Sequence, residues 1–292
     1  MQKFKTTVDS KHKFLDLKLK ETFSYKDLIF LFVKRDFVAR YKQTILGPLW
    51  VIIQPLFTSL INVLVFGVIA GLGGYDIDPD KAVPTYLFLM AGSVCWSYMS
   101  TTINGTMNTF ISNSGIMGKV YYPRLVSPLA TMFSNLINFA IQMLILVGVG
   151  IVYALKGANS IALTPWMLMF PITLLQMMLF SVGTGLFFSS FTTKYRDLTM
   201  FFGFFLSLVG YLSPIHYGYY AIYENFAKYV WLQKIYMLNP VTNMVLTFKY
   251  SLFGTGVFQI GWYLVSWVMT VIMLILGILM FNKTERTFMD TI

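Results

Sequence analysis

The sequence contains one cysteine, Cys95, and few charged residues. Asp, Glu, Lys and Arg make up 12% of its 292 residues, against about 25% in soluble domains. A single cysteine excludes an internal disulfide and a cysteine metal cluster. Hydrophobic residues make up 57%, and the mean hydropathy is +0.66. Because a soluble globule could not cover this much apolar surface, the composition indicates an integral membrane protein. It also excludes disorder, a fibrous repeat and a disulfide-stapled secreted domain.

Motifs for catalysis and for energy coupling are also missing. The two histidines, His12 and His216, form no His-x-x-x-His motif, and the sequence shows no paired carboxylates and no Ser/His/Asp set. A phosphate-binding loop needs Gly-x-x-x-x-Gly-Lys-Ser/Thr, and the nearest approach, at Gly118-Lys119, lacks its first glycine and its Ser/Thr. These absences argue against an enzyme. They also mean that any ATP-driven transport requires an ATPase on another chain.

Six apolar runs are long enough to form membrane helices, which need about 20 residues each. They are too long for barrel strands, which alternate over about 10 residues. No predicted span carries Asp, Glu, Lys or Arg, the groups that ion-coupled transporters keep at mid-depth. The sequence therefore predicts an all-α polytopic membrane protein with six transmembrane helices. These spans are residues 46–74, 84–112, 125–155, 161–193, 198–213 and 256–281.

Basic residues predict the orientation of these helices. With the amino terminus inside, the cytoplasmic segments hold 17 Lys and Arg, whereas the outer segments hold 5. Because basic residues concentrate in cytoplasmic loops, both termini are predicted to be cytoplasmic. Residues 1–44 are too polar and too long for a signal peptide. We therefore expect a multi-pass membrane protein.

The amino-terminal residues divide into two predicted parts, followed by the membrane domain at 45–292. Residues 1–23 are basic without a clear period, which is typical of a flexible tail. Residues 24–44 predict an amphipathic interface helix, which begins with a capping box of Ser24 and Asp27. Its predicted apolar face is Phe30, Val33, Phe37 and Tyr41. Such a helix anchors in the inner membrane surface or docks on a partner, and periodicity alone favours the anchor.

The stretch between the fifth and sixth spans is rich in aromatic and apolar residues rather than polar ones. This composition favours two short, half-buried helices that re-enter from the outer face. Aromatic residues at interface depth are common without any function.

Several motifs, in order along the chain, resemble those of one transporter family. Residues 35–50, followed by Gln54-Pro55-Leu56, resemble the opening of the membrane subunit of type-2 ATP-binding-cassette exporters. The closer resemblance is to the branch that exports polysaccharides and teichoic acids, including O-antigen and capsule. The other similar segments are the cytoplasmic loops at 113–124 and 195–198, the outer segments at 211–215 and 238–241, and the tail at 281–290.

The resemblance implies a complex with a second kind of subunit. Two copies of this chain would pair with two copies of an ATP-binding-cassette ATPase, which holds ATP and Mg. This chain would carry no cofactor, no metal and no catalytic residue. Its other partners would be membrane lipid and a polyprenyl-phosphate-linked glycan substrate, and nucleic acid is not among them.

The resemblance to this transporter family further implies a location and an outer gate. The location would be the bacterial cytoplasmic membrane. The gate would consist of short helices on the outer side, and residues 214–240 are called the gate segment here after that implied role.

Two short cytoplasmic segments are the predicted contacts with the ATPase. A coupling loop must be short and stiff to transmit a push, and proline fixes a dihedral angle while glycine permits a tight turn. Lys119 and Arg124 could contact acidic groups of the ATPase or lipid phosphates. Alternatively, they are ordinary basic residues of a cytoplasmic loop. Arg196 and Asp197 alternatively form a structural ion pair. The predicted coupling residues are Gly115, Gly118, Lys119, Tyr121, Pro123, Arg124, Tyr195, Arg196 and Asp197.

A basic entrance and an aromatic route are predicted for the substrate. An anionic lipid phosphate favours basic groups at the inner leaflet, and aromatic faces bind sugars weakly and repeatedly. Phe201, Phe204 or Phe205, Leu208 and Tyr211 share a helical face, although packing between helices explains them equally well. The predicted entrance residues are Arg35, Asp36, Arg40, Tyr41 and Lys42. The predicted route and gate residues are Gln54, Phe201, Phe205, Tyr211, Ser213, Pro214 and His216.

Two other functions remain open at this point. A type-2 exporter of a drug or lipid has the same architecture, although residues 41–43 and 46–48 favour the polysaccharide branch. A membrane enzyme acting on lipid-linked sugars would need a carboxylate or histidine in a surface cleft. On the predicted outer side, only Glu224 and His216 lie near a span.

Overall fold

The computed structural model describes residues 19–42, 44–71, 83–117, 119–120, 122–162, 164–220 and 228–287. Within these ranges the chain is helical and has no β-strand, which confirms the predicted all-α class. The helices are α1 (Leu19–Ser24), α2 (Lys26–Tyr41), α3 (Trp50–Asn62), α4 (Thr85–Met107), α5 (Thr109–Met117), α6 (Val126–Leu155), α7 (Met169–Thr192), α8 (Leu198–Tyr211), α9 (Val230–Leu238), α10 (Pro240–Phe253) and α11 (Ile260–Thr287).

Four helical stretches of the described chain are long and apolar enough to cross a membrane. The stretches that contain α3 and α7 include the short helical turns next to them. α4 has 23 residues but carries many Ser, Thr and Asn side chains, and α8 is apolar but has only 14 residues. The six-span count and the orientation therefore stay predictions. The four stretches are Gly47–Ile69, Val126–Leu155, Pro165–Thr192 and Ile260–Thr284.

Helix α7 lies at the centre of the bundle, packed against α4 and α11. It crosses α11 at Gly183, where an added Cβ would lie 2.7 Å from the Cα of Leu274. Nearer the start of α7, the buried Gln176 donates from Nε2 to Ser266 Oγ at 2.8 Å. Small residues and interhelical hydrogen bonds are the usual means of packing membrane helices, because lipid offers no hydrophobic driving force between them.

Helix α2 packs on α6 and its neighbours through a face that differs from the predicted one. Its buried residues are Ile29, Phe32 and Val33, whereas Phe30 is 72% exposed. The ring of Phe32 meets Tyr122 edge-on, with centroids 5.6 Å apart. Packing within the chain therefore buries Val33 of the predicted face, and the contact of Phe30 with the membrane surface stays a prediction.

The start of α2 also differs from the prediction. Ser24 is the last residue of α1, and Tyr25 is the N-cap of α2, without a side-chain capping bond. The backbone N–H of Tyr25 donates to the carbonyl oxygen of Thr22 at 3.1 Å, which closes a turn between the two helices. The second helix thus begins one residue later than predicted, and residues 19–23 of the predicted tail lie in α1. Residues 1–18 lie outside the described ranges.

Candidate functional site

A cavity of about 210 Å³ lies where the carboxyl end of α2 meets α3, α4 and α6. Most of its wall is polar, and Arg40 is the only charged residue among the described residues that line it. α2 contributes Arg40 and Tyr41, and α3 contributes Trp50, Val51 and Gln54. α4 contributes Ser97, Tyr98 and Thr101, and α6 contributes Asn135, Asn138, Phe139 and Gln142.

Two side-chain hydrogen bonds join α2 to α6 at this cavity. Arg40 donates from Nη2 to Asn135 Oδ1 at 3.0 Å, and the hydroxyl of Tyr41 donates to Asn138 Oδ1 at 2.9 Å. Asn138 is 9% exposed, and its Nδ2 has no partner among the described residues. An orphaned buried N–H group is costly unless something accepts from it. Asn138 thus contributes a buried donor beside the cavity that no described residue satisfies.

Two glutamines also line this cavity, one on α3 and one on α6. Gln54 is exposed and Gln142 is half-buried, and neither side chain hydrogen-bonds to another described residue. The predicted placement of Gln54, toward protein or water, is consistent with its position in this polar wall. Guanidinium groups bind phosphate well, and amides bind hydroxyl groups in either direction. The cavity thus suits a ligand that carries both phosphate and hydroxyl groups.

The amides of α6 were not among the residues singled out from the sequence. Asn135, Asn138 and Gln142 follow one another at intervals of three and four residues inside an apolar run. This spacing places them on one face of a helix. Polar side chains within a membrane helix face protein or water, so the signal was present in the sequence.

The other predicted entrance residues do not line the cavity. Arg35 forms an ion pair with Asp36, with Nη2 and Oδ1 2.7 Å apart, and it donates to Asn113 Oδ1 at 3.2 Å. It therefore fixes α2 on α5. Lys42 is exposed and lies just beyond the end of α2. Of the three predicted basic groups, only Arg40 reaches the cavity wall.

The first predicted coupling segment is partly helical. Gly115 lies inside α5 rather than at a turn, because buried Phe110, Asn113 and Met117 hold one face of α5 against the protein. The predicted turn at Gly115 is therefore wrong. Beyond α5, Lys119 is exposed, Pro123 is buried and Arg124 is half-buried. Gly118 and Tyr121 lie outside the described residues.

The second predicted coupling segment is a short exposed turn between α7 and α8. Tyr195, Arg196 and Asp197 are all exposed. In the part of the chain that the structure describes, no ion pair joins Arg196 to Asp197, so the structural alternative for these charges does not hold. The turn is fixed at its base, where the hydroxyl of Thr192 donates to the carbonyl oxygen of Met107 at 3.0 Å.

The predicted aromatic face of α8 is largely exposed. Phe201 is 57%, Phe205 is 44% and Tyr211 is 63% exposed. By contrast, the neighbouring ring of Phe202 stacks on Phe188, with centroids 4.0 Å apart. Packing within this chain therefore explains Phe202 but not Phe201 or Tyr211, whose rings remain available to lipid, to a second subunit or to a substrate.

The predicted gate begins with a break in the helix after α8. Ser213 and Pro214 are buried at this break, and Asn239 donates from Nδ2 to Ser213 Oγ at 2.9 Å. The imidazole ring of His216 stacks on Phe66, with centroids 5.3 Å apart. α9 and α10 follow within or beyond the predicted gate segment, whereas residues 221–227, which include Glu224, lie outside the described ranges.

A buried lysine, one of the five basic residues counted in the predicted outer segments, contacts this break. Lys249, on α10, is 2% exposed. It donates from Nζ to the carbonyl oxygen of Pro214 at 2.6 Å, and its Nζ lies 3.8 Å from the centre of the Phe88 ring. Counting it with the outer basic residues gave it no contact within the protein, whereas the structure buries it because α10 is packed within the bundle. The available signal was a single lysine in an otherwise uncharged run, Val241 to Phe253.

The residues that match known proteins include those of the cavity, of both predicted coupling segments and of the helix break. A sequence model of the family described as ABC-2 type transporter matches residues 27–253. Two curated relatives from Klebsiella pneumoniae, both called O-antigen export system permease protein RfbA, are 27% and 26% identical over 278 residues; the alignments cover 94% of this chain and 99% of each relative. A relative of that name from Myxococcus xanthus is 24% identical over 232 residues, 79% of this chain and 82% of its own length.

Proposed function

Since the chain belongs to the ABC-2 type transporter family, we propose that it is the membrane subunit of an ATP-driven polysaccharide exporter. Its substrate is a polyprenyl-phosphate-linked polysaccharide of the O-antigen type, which it moves across the bacterial cytoplasmic membrane. The name shared by the three relatives supports this substrate class, because two of them align over nearly their whole length. Capsule polysaccharides belong to the same chemical class, and teichoic acids are related polyol-phosphate polymers.

The working unit in this proposal has two copies of this chain and two copies of a separate ATPase. ATP and Mg bind to the ATPase, and both termini of this chain are cytoplasmic. Lys119 and the turn with Tyr195, Arg196 and Asp197 contact the ATPase. Their exposure supports this role, because their side chains are not used in packing within the chain.

The cavity is the observation that carries the proposed substrate class. Arg40 binds the lipid phosphate, and the amides of Gln54, Asn138 and Gln142 bind the hydroxyl groups of the adjoining sugar. This division follows from the chemistry of the wall, which combines one guanidinium with several uncharged donors and acceptors. Further along, the exposed aromatic face of α8 contacts the glycan as it passes toward the helix break.

The test uses the complex of this chain with its ATPase in lipid nanodiscs. ATP hydrolysis is measured with a polyprenyl-diphosphate-linked glycan, with the same glycan without lipid, and with an amphiphilic drug. We expect the linked glycan to stimulate hydrolysis and the other two to have little effect. Stimulation by the drug alone would instead identify a drug or lipid exporter.

Variants of the subunit locate the effect on the cavity. Arg40→Gln removes the guanidinium, and losing a hydrogen bond to a charged group costs about 1.5–3 kcal/mol. We therefore expect the concentration of linked glycan that gives half-maximal stimulation of ATP hydrolysis to rise about tenfold or more. Lys34→Gln is the matched control, because Lys34 is an exposed basic residue of α2 that does not line the cavity. Equal effects of the two variants would remove the cavity from the substrate route.

A further inference from the structure

In the predicted six-span topology, α8 is too short to cross the membrane alone, so the break that follows it would lie within the hydrocarbon core. α8 has 14 residues, which gives a length of about 21 Å, against about 30 Å for the hydrocarbon core. Backbone that is not helical can lie at membrane depth only where protein satisfies its polar groups. Pro214 contributes no N–H, and the helix pattern of hydrogen bonds ends here. Pro214 and Ile215 lie beyond the last residue of α8, so their buried carbonyl groups are outside its ladder of hydrogen bonds and need donors from elsewhere.

Lys249 supplies a donor to this exposed backbone. Its Nζ lies 2.6 Å from the carbonyl oxygen of Pro214 and 3.5 Å from that of Ile215. The face of Phe88 lies against the same amino group, and an aromatic face stabilises a cation when both are desolvated. One side chain thus joins α10, α4 and the break.

The break also has close steric contact with α4. Ile215 is fully buried, and its carbonyl oxygen approaches Gly92 so closely that a Cβ at this position would clash with it. On its other side, Asn239 donates to Ser213. These contacts give residues 212–217, here called the α8 break, one defined position. Lys249 is central among them, because it donates to backbone carbonyl groups that lie beyond the end of α8.

We propose that Lys249 is a positioning residue for transport, which holds the α8 break against α4 and α10. By fixing the break, Lys249 also fixes the end of α8 that presents Tyr211, and therefore the outer end of the substrate route. Without it, ATP hydrolysis continues but polymer export fails. This role rests on the proposed transport function, whereas the contact itself can be tested independently of the substrate.

The test compares three variants of the complex with its ATPase. Lys249→Met has a similar length but no donor, and Lys249→Arg keeps donors at this position. Lys234→Met is the control, because Lys234 is an exposed lysine of α9. Three quantities are measured: hydrogen exchange of backbone amides in the α8 break, export of the linked polymer, and ATP hydrolysis.

We expect Lys249→Met to raise the exchange rates in the α8 break by about tenfold or more, as expected for the loss of a buried charged hydrogen bond. Exchange in α7 and α11 should stay unchanged, export should fall at least tenfold, and ATP hydrolysis should continue. Lys249→Arg should restore most of the protection and part of the export. Lys234→Met should resemble the wild type in all three measurements.

The following results would overturn the proposal. Wild-type exchange in the α8 break, or wild-type export, in Lys249→Met would each remove Lys249 from this role. If Lys249→Met does not assemble, Lys249→Arg decides the question: equal failure of both variants means that the donor is not what matters. If the wild-type complex proves to export something other than polysaccharide, the substrate assignment fails, and the exchange data still decide whether Lys249 holds the break.

Discussion

The guanidinium of Arg40 donates to the side-chain oxygen of Asn135 at 3.0 Å, and this bond connects residues 95 positions apart in sequence. It lies at the carboxyl end of α2. Earlier in the same helix, Phe32 contacts Tyr122, beside the first predicted coupling segment. One helix therefore contacts both the cavity and the segment proposed to meet the ATPase. A displacement of α2 would change the position of Arg40 relative to the cavity.

Assembly with an ATPase gives the first prediction. The purified chain should show no ATP hydrolysis above background, because its sequence contains no phosphate-binding loop. Purified together with its partner, the complex should have two copies of each chain and should hydrolyse ATP. Mass measurement of the intact complex in detergent checks the ratio. Robust hydrolysis by the chain alone would contradict the assignment of the energy source.

The exposed coupling residues give the second prediction. Lys119→Glu and Arg196→Glu should each weaken ATPase binding by about fivefold or more, because they reverse charges placed at the proposed contact. The melting temperature of the isolated subunit should not change, since both side chains are exposed. Lys156→Glu, an exposed lysine at the far end of α6, is the control. Normal ATPase binding by both test variants would show that these segments are only connectors.

The aromatic face of α8 gives the third prediction. Phe201→Ala and Tyr211→Ala should lower polymer export while leaving the melting temperature of the complex nearly unchanged, because both rings are more than half exposed. Phe188→Ala is the contrasting variant. Its ring is 6% exposed, and loss of a buried aromatic ring costs about 3–5 kcal/mol, so melting should occur at a lower temperature. Normal export by Phe201→Ala and Tyr211→Ala would exclude these residues from the route.

The crossing of α7 and α11 gives the fourth prediction. Gly183→Ala would place a methyl group against the backbone of Leu274, and overpacking of this kind costs about 1–3 kcal/mol. The melting temperature of the subunit in detergent should fall. Gly148→Ala is the matched control within α6, because no atom lies near an added Cβ there. Gly148→Ala should be neutral or slightly stabilising. Equal melting of both variants would mean that the crossing can adjust.

Several elements follow from local sequence alone. Residues 125–155 were predicted as one span, and α6 covers Val126–Leu155. This agreement has a simple cause, since a long apolar run without proline in its interior has few alternatives to a helix in a membrane. α8 likewise ends near its predicted boundary, because Pro214 removes a backbone donor.

Other features depend on what each helix packs against. Periodicity predicted one apolar face on α2 that includes Phe30 and Val33, and packing within the chain buries Val33 together with Ile29 and Phe32. Gly115 suggested a turn because glycine permits one, yet the buried face of α5 keeps it helical. In both cases several local structures were compatible with the sequence, and tertiary contacts selected among them.

The sequence by itself determined the membrane class, the helical spans of greatest hydropathy and the family resemblance, because these depend on composition and on local order. Only the tertiary structure brought Arg40 to the amides of α6 and Lys249 to the carbonyl groups after α8. Both contacts join residues far apart in the chain. A buried polar group needs a hydrogen-bond partner, and that partner is set by tertiary packing. Local sequence patterns do not show which distant residue will supply it.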